Sequence, residues 1–224
     1  MTAGRLLPYG ETAVLVEIEQ AHDVIGLRDA LRRLATAPDR AASTAAVSPT
    51  RSSPVRAVVP AARTVLVEFD PRCTTRSWVQ ELIEEALAAT GAGTEPLAAA
   101  VVQLEVQYDG ADLTSVAAEL AESIEAVIAR HTEPEYLVQF CGFSPGFAYL
   151  TGLDPKLRLP RLATPRPSVP AGSVAVAGEY TGVYPRPSPG GWLLLGHTDQ
   201  VLFDAARAQP ALLSPGTRVR FVAR

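Results

Sequence analysis

Lysine is nearly absent: Lys156 is the only one among 20 basic residues, the rest being arginine. A phosphate-binding loop of the G-x-x-x-x-G-K-[ST] type needs a lysine at the end of a glycine-rich turn, and Lys156 stands instead in Asp154-Pro155-Lys156. That excludes a self-sufficient ATPase of this class. Schiff-base chemistry would have to rest on the same turn-like residue. The two cysteines, Cys73 and Cys141, match no zinc or redox spacing and read as small buried hydrophobes, so a reduced cytoplasm is expected. Histidine, aspartate and glutamate form no group at metal-ligand spacing, and no metal site is expected. There is no Gly-x-Ser-x-Gly elbow for a nucleophilic serine. No apolar run approaches the roughly 20 residues that span a bilayer, and Met1–Gly10 carries no pattern of a secretory signal. A net charge of -4 gives no general attraction for nucleic acid or anionic lipid. Neither nucleic acid nor membrane is an expected partner.

What is present is a packed core, 47% of the chain being hydrophobic. Thr12–Ile18 alternates with Val14, Val16 and Ile18 on one face and predicts a strand. Val24, Leu27, Leu31 and Leu34 follow at helical spacing. The residues from 36 to 54 turn to Ala, Ser, Thr and Pro without periodicity and read as a flexible insertion. Two strands around Pro60-Ala61-Ala62 come next, then a helix with the face Val79, Leu82, Ile83, Ala86, capped by Thr75 or Ser77. The order β-α-β-β-α predicts a ferredoxin-like domain over residues 1–90. Residues 91–100 read as a linker, and a second domain occupies 101–224. There, Val102, Leu104 and Val106 predict a strand, and Val116, Leu120, Ile124, Val127 and Ile128 one helical face. Residues 142–217 then hold 11 of the 19 prolines and 10 of the 16 glycines. Helix is disfavoured in such a stretch. Short apolar bursts between the breakers, at Ser173–Ala177, Trp192–Leu195, Val201–Phe203 and Val219–Val222, read as strands and predict a barrel or sandwich.

The same stretch holds the residues able to make a site. Ser-Pro-Gly occurs at Ser144, Ser188 and Ser214, each copy suited to a turn with φ above zero at its glycine. Phe143 and Phe147 flank the first copy, with Pro145 and Gly146 between them. Arg166 lies between prolines, which stiffen it for bidentate contact with an anion. Pro170, Ala171, Gly172 and Ser173 offer amides and a hydroxyl. Tyr184, Ser188, Gly190, Gly191 and Trp192 add more, and His197 ends an apolar strand. His131 ends a helix, where a cation suits the macrodipole. Hydroxyls, exposed amides and one guanidinium are the parts of an anion or oxyanion pocket.

The ordered series Gly142-Phe143-Ser144-Pro145-Gly146-Phe147, Tyr149-Leu150, Gly152-Leu153-Asp154, Pro160-Arg161, Thr164-Pro165-Arg166, Val169–Ser173, Ala177-Gly178, Thr181-Gly182, Tyr184-Pro185 and Ser188–Trp192 resembles one family. It is the family of the 5-oxoprolinase B subunit, also called KipI-like or allophanate hydrolase subunit 1. A looser likeness covers Gly10–Glu17 and Val59–Pro71. The resemblance implies an α+β chain: an N-terminal ferredoxin-like α/β sandwich followed by a cyclophilin-like β-barrel. It implies two partners, a larger C subunit of the allophanate hydrolase subunit 2 type and an A subunit of the LamB/YcsF type. Together these open 5-oxoproline to L-glutamate with ATP held by the complex. The chain alone is then expected to be inactive. Arg166, His197, Ser188 and His131 become catalytic candidates. Phe143, Pro145, Gly146, Phe147, Pro170, Ala171, Gly172, Ser173, Tyr184, Gly190, Gly191 and Trp192 become binding candidates. His197 stands where the family pattern has an arginine. Other readings the resemblance allows are inhibition of a sensor histidine kinase and a part in urea or allophanate metabolism.

Overall fold

A computed structural model describes residues 4–37, 53–90 and 101–224. The linker at 91–100 and all but the ends of the 36–54 insertion lie outside the described residues. The chain divides into two compact units, one up to Leu97 and one from Ala98 onward. Both mix helix and strand.

In the first unit the elements run β1 (Gly4–Tyr9), β2 (Ala13–Ile18), α1 (Asp23–Ala35), β3 (Val55–Pro60), β4 (Thr64–Phe69) and α2 (Arg76–Ala89). The strands form an antiparallel sheet in the order β1-β2-β4-β3. Alternation puts Val14, Val16 and Ile18 of β2 and Val65, Val67 and Phe69 of β4 on one buried face. Val24, Leu27 and Leu31 of α1 and Val79, Leu82 and Ile83 of α2 complete that core. Thr75 caps α2, its hydroxyl accepting from the Trp78 amide at 3.3 Å. The strand β1 is an addition to the sequence reading. It is an edge strand, mostly exposed, so no hydrophobic alternation marks it.

The second unit runs β5 (Val102–Val106), α3 (Leu113–Leu120), α4 (Ile124–Thr132), β6 (Tyr136–Cys141), β7 (Ala148–Thr151), a 3₁₀ turn (Pro155–Leu157), β8 (Arg166–Val169), β9 (Ser173–Ala177), β10 (Tyr180–Val183), β11 (Ser188–Gly190), β12 (Leu193–His197) and β13 (Arg218–Ala223). Seven strands pair in the order β12-β9-β10-β7-β6-β13-β5, and β8 and β11 form a separate ribbon. The two end strands then meet. Gln107 and His197 exchange backbone hydrogen bonds of 2.9 and 2.8 Å, and the Gly110 amide donates to Leu195 O at 3.0 Å. The sheet is thereby nearly closed into a barrel. Gly110 permits the approach, because a Cβ there would lie 2.3 Å from Leu194 O. Leu104, Val138, Leu150, Val174, Val176, Leu195 and Phe221 fill the interior, and Val116 and Val127 cover it from the helices.

Three sequence expectations change. The single helical face over 116–128 is two helices, broken at Ala121, which adopts φ +52. Ser123 restarts the second, its hydroxyl accepting from the Ala126 amide at 3.2 Å. Ser144–Gly146 and Ser214–Gly216 make the expected turns, with φ +84 and +89 at their glycines. Ser188-Pro189-Gly190 is instead the short strand β11. Val201–Phe203 is not a strand; Phe203 makes only an isolated bridge to Ala211.

Candidate functional site

Beside the barrel interior lies a second apolar cluster of Phe147, Val169, Ala175, Tyr184 and Leu194, with Tyr149 and Trp192 packed on it. Phe147 is its centre. Its ring meets those of Tyr149, Tyr184 and Trp192 edge to face at 5.1, 5.3 and 5.4 Å, the arrangement that aromatic quadrupoles favour. The loop Gly142–Phe147 brings Phe143 over this hub at 5.5 Å. Phe143 holds φ +67 and is 58% exposed. A non-glycine residue in that conformation is strained by about 1–3 kcal/mol, and such strain gathers at functional loops.

These side chains enclose a cavity of about 260 Å³. Phe143, Phe147, Tyr149, Tyr184 and Trp192 give its aromatic walls, Pro165 and Pro189 its rim, and Gly190 and Gly191 its floor. Glycine is required at the floor: a Cβ on Gly190 would lie 2.2 Å from the Tyr184 hydroxyl oxygen. Burial raises the Tyr149 and Tyr184 hydroxyls above their ordinary range, so both stay neutral donors. Among the described residues no carboxylate lines the cavity, and its one cation is Arg161.

Of the sequence candidates, the fold brings Phe143, Phe147, Tyr184, Gly190, Gly191 and Trp192 together in this wall. The others lie off it. Arg166 is committed inside the protein: its guanidinium donates to Asp112 Oδ1 at 2.6 Å and to Trp192 O at 3.3 Å. The other Asp112 oxygen accepts from the Leu194 amide at 2.7 Å. Arg166 thus ties the start of α3 to β12 behind the cavity, its charge already neutralised. Ser188 is buried and donates to Arg186 O at 3.1 Å. Ser173 is buried at the head of β9, its carbonyl taken by the Tyr184 amide. Pro145 and Gly146 form the turn beside the cavity, and Gly146 packs under Phe203. Pro170, Ala171 and Gly172 lead into β9, where Gly172 crosses Thr198 too closely for a Cβ.

Neither histidine reaches the cavity. His197 closes the barrel through its backbone, and its Nδ1 meets Asp109 Oδ1 at 2.8 Å on the half-exposed outside. His131 is fully buried, between Tyr108 Oη at 2.7 Å and Thr181 Oγ1 at 2.8 Å. Burial takes its pKa down to about 3. The residues that sequence reasoning missed are Arg161, Tyr149, Pro165 and Pro189. Arg161 offered a signal, since Pro160 precedes it and stiffens its approach as prolines do for Arg166.

The second unit is thus a barrel-like sheet carrying a small aromatic pocket with one cation. The chain belongs to the family of the carboxyltransferase domain, subdomain C and D, whose model matches residues 4–213. It is 52% identical over 124 residues to the 5-oxoprolinase B subunit of Escherichia coli O157:H7, a match covering 54% of this chain and 57% of that protein. It is 51% identical over 124 residues to the 5-oxoprolinase B subunit of Haemophilus influenzae, covering 54% and 58%. These matches therefore span just over half the length of each relative. The crystal structure of TTHA0988 superposes on 100% of this chain with a TM-score of 0.72 and 40% identity, using 40% of its own chain. Among the described residues no helix is long and apolar enough to cross a membrane, and no group of side chains is arranged to hold a metal ion.

Proposed function

We propose that this chain acts as the B subunit of a cytoplasmic 5-oxoprolinase, which opens 5-oxoproline to L-glutamate with ATP hydrolysis. Its partners in this reading are the C and A subunits, and it is inactive without them. The observation that carries the reading is the 52% identity to a protein named as the B subunit of 5-oxoprolinase. The cavity suits it chemically, being small, aromatic-walled and free of carboxylates.

Opening a lactam adds water across its C–N bond: the carbonyl carbon gains oxygen and the ring nitrogen gains a proton. The contribution of this chain is to hold the ring between Phe147, Tyr184 and Trp192 and to limit its orientations, which lowers the entropic part of the barrier. ATP does not fit here. Lys156 pairs with Glu122 at 2.7 Å, and the cavity offers one guanidinium where a triphosphate needs several donors. Nucleotide binding is kept as a property of the complex, outside this cavity. We read the second unit as a cyclophilin-like barrel. We read the first as a ferredoxin-like sandwich in which the strand that usually closes the sheet comes first. The order β1-β2-β4-β3 supports this, since β4 lies between the two strands joined by α1.

The test is co-expression with the A and C partners and measurement of phosphate release. Release that depends on 5-oxoproline and on all three chains is expected; equal release without this chain would end the reading. A regulatory role, with the exposed Phe143 seated in a kinase domain, is the second reading. Tight kinase binding by an assembly without 5-oxoproline turnover would favour it.

A further inference from the structure

We infer that Arg161 binds the carboxylate of a small ring-shaped monoacid held in the aromatic cavity. The inference deepens the proposed function and takes 5-oxoproline as its first probe from that reading. Size comes first. At about 260 Å³ the cavity falls below the range of roughly 300–1,000 Å³ usual for drug-sized ligands. Its occupant is compact. Rings of Phe147, Tyr184 and Trp192 and the two prolines ask for a flat, mainly apolar body. Charge is the third constraint. The lining holds one cation and no anion, so a single negative charge on the ligand is matched and a second is not.

Arg161 is placed for that task. Unlike Arg166, it has no ion pair or hydrogen bond to any described residue, and it is exposed at the cavity wall. Pro160 restricts the backbone before it. The next residue, Leu162, donates its amide to Gly191 O at 2.7 Å, fastening this segment to the cavity floor. A guanidinium on this fastened segment is free to offer two parallel N–H donors to a carboxylate. Arg166 supports the arrangement from behind, through Asp112 and Trp192 O.

The test is a titration of the full chain, followed through the indole N–H resonance of Trp192, assigned by its loss in Trp192→Phe. The probes are 5-oxoproline, its carboxamide, and the ring monoacids 2-furoate, benzoate and cyclopentanecarboxylate. The acid is expected to bind roughly tenfold more tightly than the amide, as one charge-assisted contact gives. Arg161→Gln is expected to abolish that preference with an unchanged melting temperature. Arg186→Gln, an exposed arginine that does not line the cavity, is expected to keep it. If 5-oxoproline leaves Trp192 unmoved while another monoacid binds in an Arg161-dependent way, the inference holds and the placing of 5-oxoproline in this cavity fails. Equal affinity for acid and amide, full acid affinity in Arg161→Gln, or no response to any monoacid would each overturn it.

Discussion

The His131 ring has no exposed surface, yet both of its nitrogens are used. Thr181 Oγ1 donates to Ala175 O at 3.1 Å, so it accepts from His131 Nε2–H, and Nδ1 accepts from the Tyr108 hydroxyl. The neutral tautomer is fixed by this chain of bonds, and Phe221 packs against the ring at 4.4 Å. His131→Ala removes the packing and leaves the Tyr108 and Thr181 hydroxyls with an unmet bond each. A loss of about 3 kcal/mol or more is expected in urea melts. The folded pKa of about 3 lies below the ordinary 6.5, so the unfolded chain binds the extra proton. The stability due to a neutral His131 is full above pH 6.5 and is lost as pH falls toward 3. His131→Gln should flatten the melting temperature across that window; an unchanged slope would contradict the buried neutral ring. At this scale the sequence was half legible. Tyr149 of the wall was missed, while Phe143, Phe147, Gly190, Gly191 and Trp192 could be named from the Gly142–Phe147 and Ser188–Trp192 segments, and Tyr184 from its own. Which arginine faces the cavity could not, because Arg161 and Arg166 both follow prolines and only the fold supplies Asp112 to one of them.

Elements show the same division. Helix faces and the strands of β2, β4, β5 and β13 are written in their apolar periodicity, since each buries one side. The edge strand β1 buries little and leaves no such trace. The break between α3 and α4 rests on Ala121, a residue whose type gives no hint of positive φ. Downstream of that break, Glu122 accepts from Arg130 at 2.6 and 2.8 Å and from Lys156 at 2.7 Å, while Arg130 also reaches Asp154 at 3.0 Å. Four charges thus join the helix pair to the 3₁₀ turn. Arg130, then Lys156, hold the Glu122 carboxyl at about 2, below its ordinary 4.5. A lowered carboxylate stabilises the fold above pH 4.5, and that contribution disappears as pH falls toward 2. Glu122→Gln should therefore melt lower than the parent at pH 7, with the difference closing in acid and shrinking in high salt. A constant difference across pH would show that the charge network does not act as described.

For the whole molecule, proline and glycine density was enough to forecast a barrel-like second unit, because it removes helix from the choices. A barrel was expected, but the residues that close it were not legible. Closure depends on Gln107, Gly110 and His197 meeting across a long sequence separation, where no local pattern operates. Closure is also what sets the site: β12 and the Ser188–Trp192 segment are held by it, and Asp112 bonds β12 and Arg166 together. In the proposed function, the aromatic cavity on this barrel is where the assembly's small substrate is held. Gly190→Val tests it most directly, because the added side chain drives into the Tyr184 hydroxyl and fills the floor. The measurement is 5-oxoproline-dependent phosphate release by the co-expressed three-protein assembly, with its elution position recorded alongside. An intact assembly in which turnover per unit substrate falls at least about tenfold is expected. An intact Gly190→Val assembly working at the parent rate would contradict it.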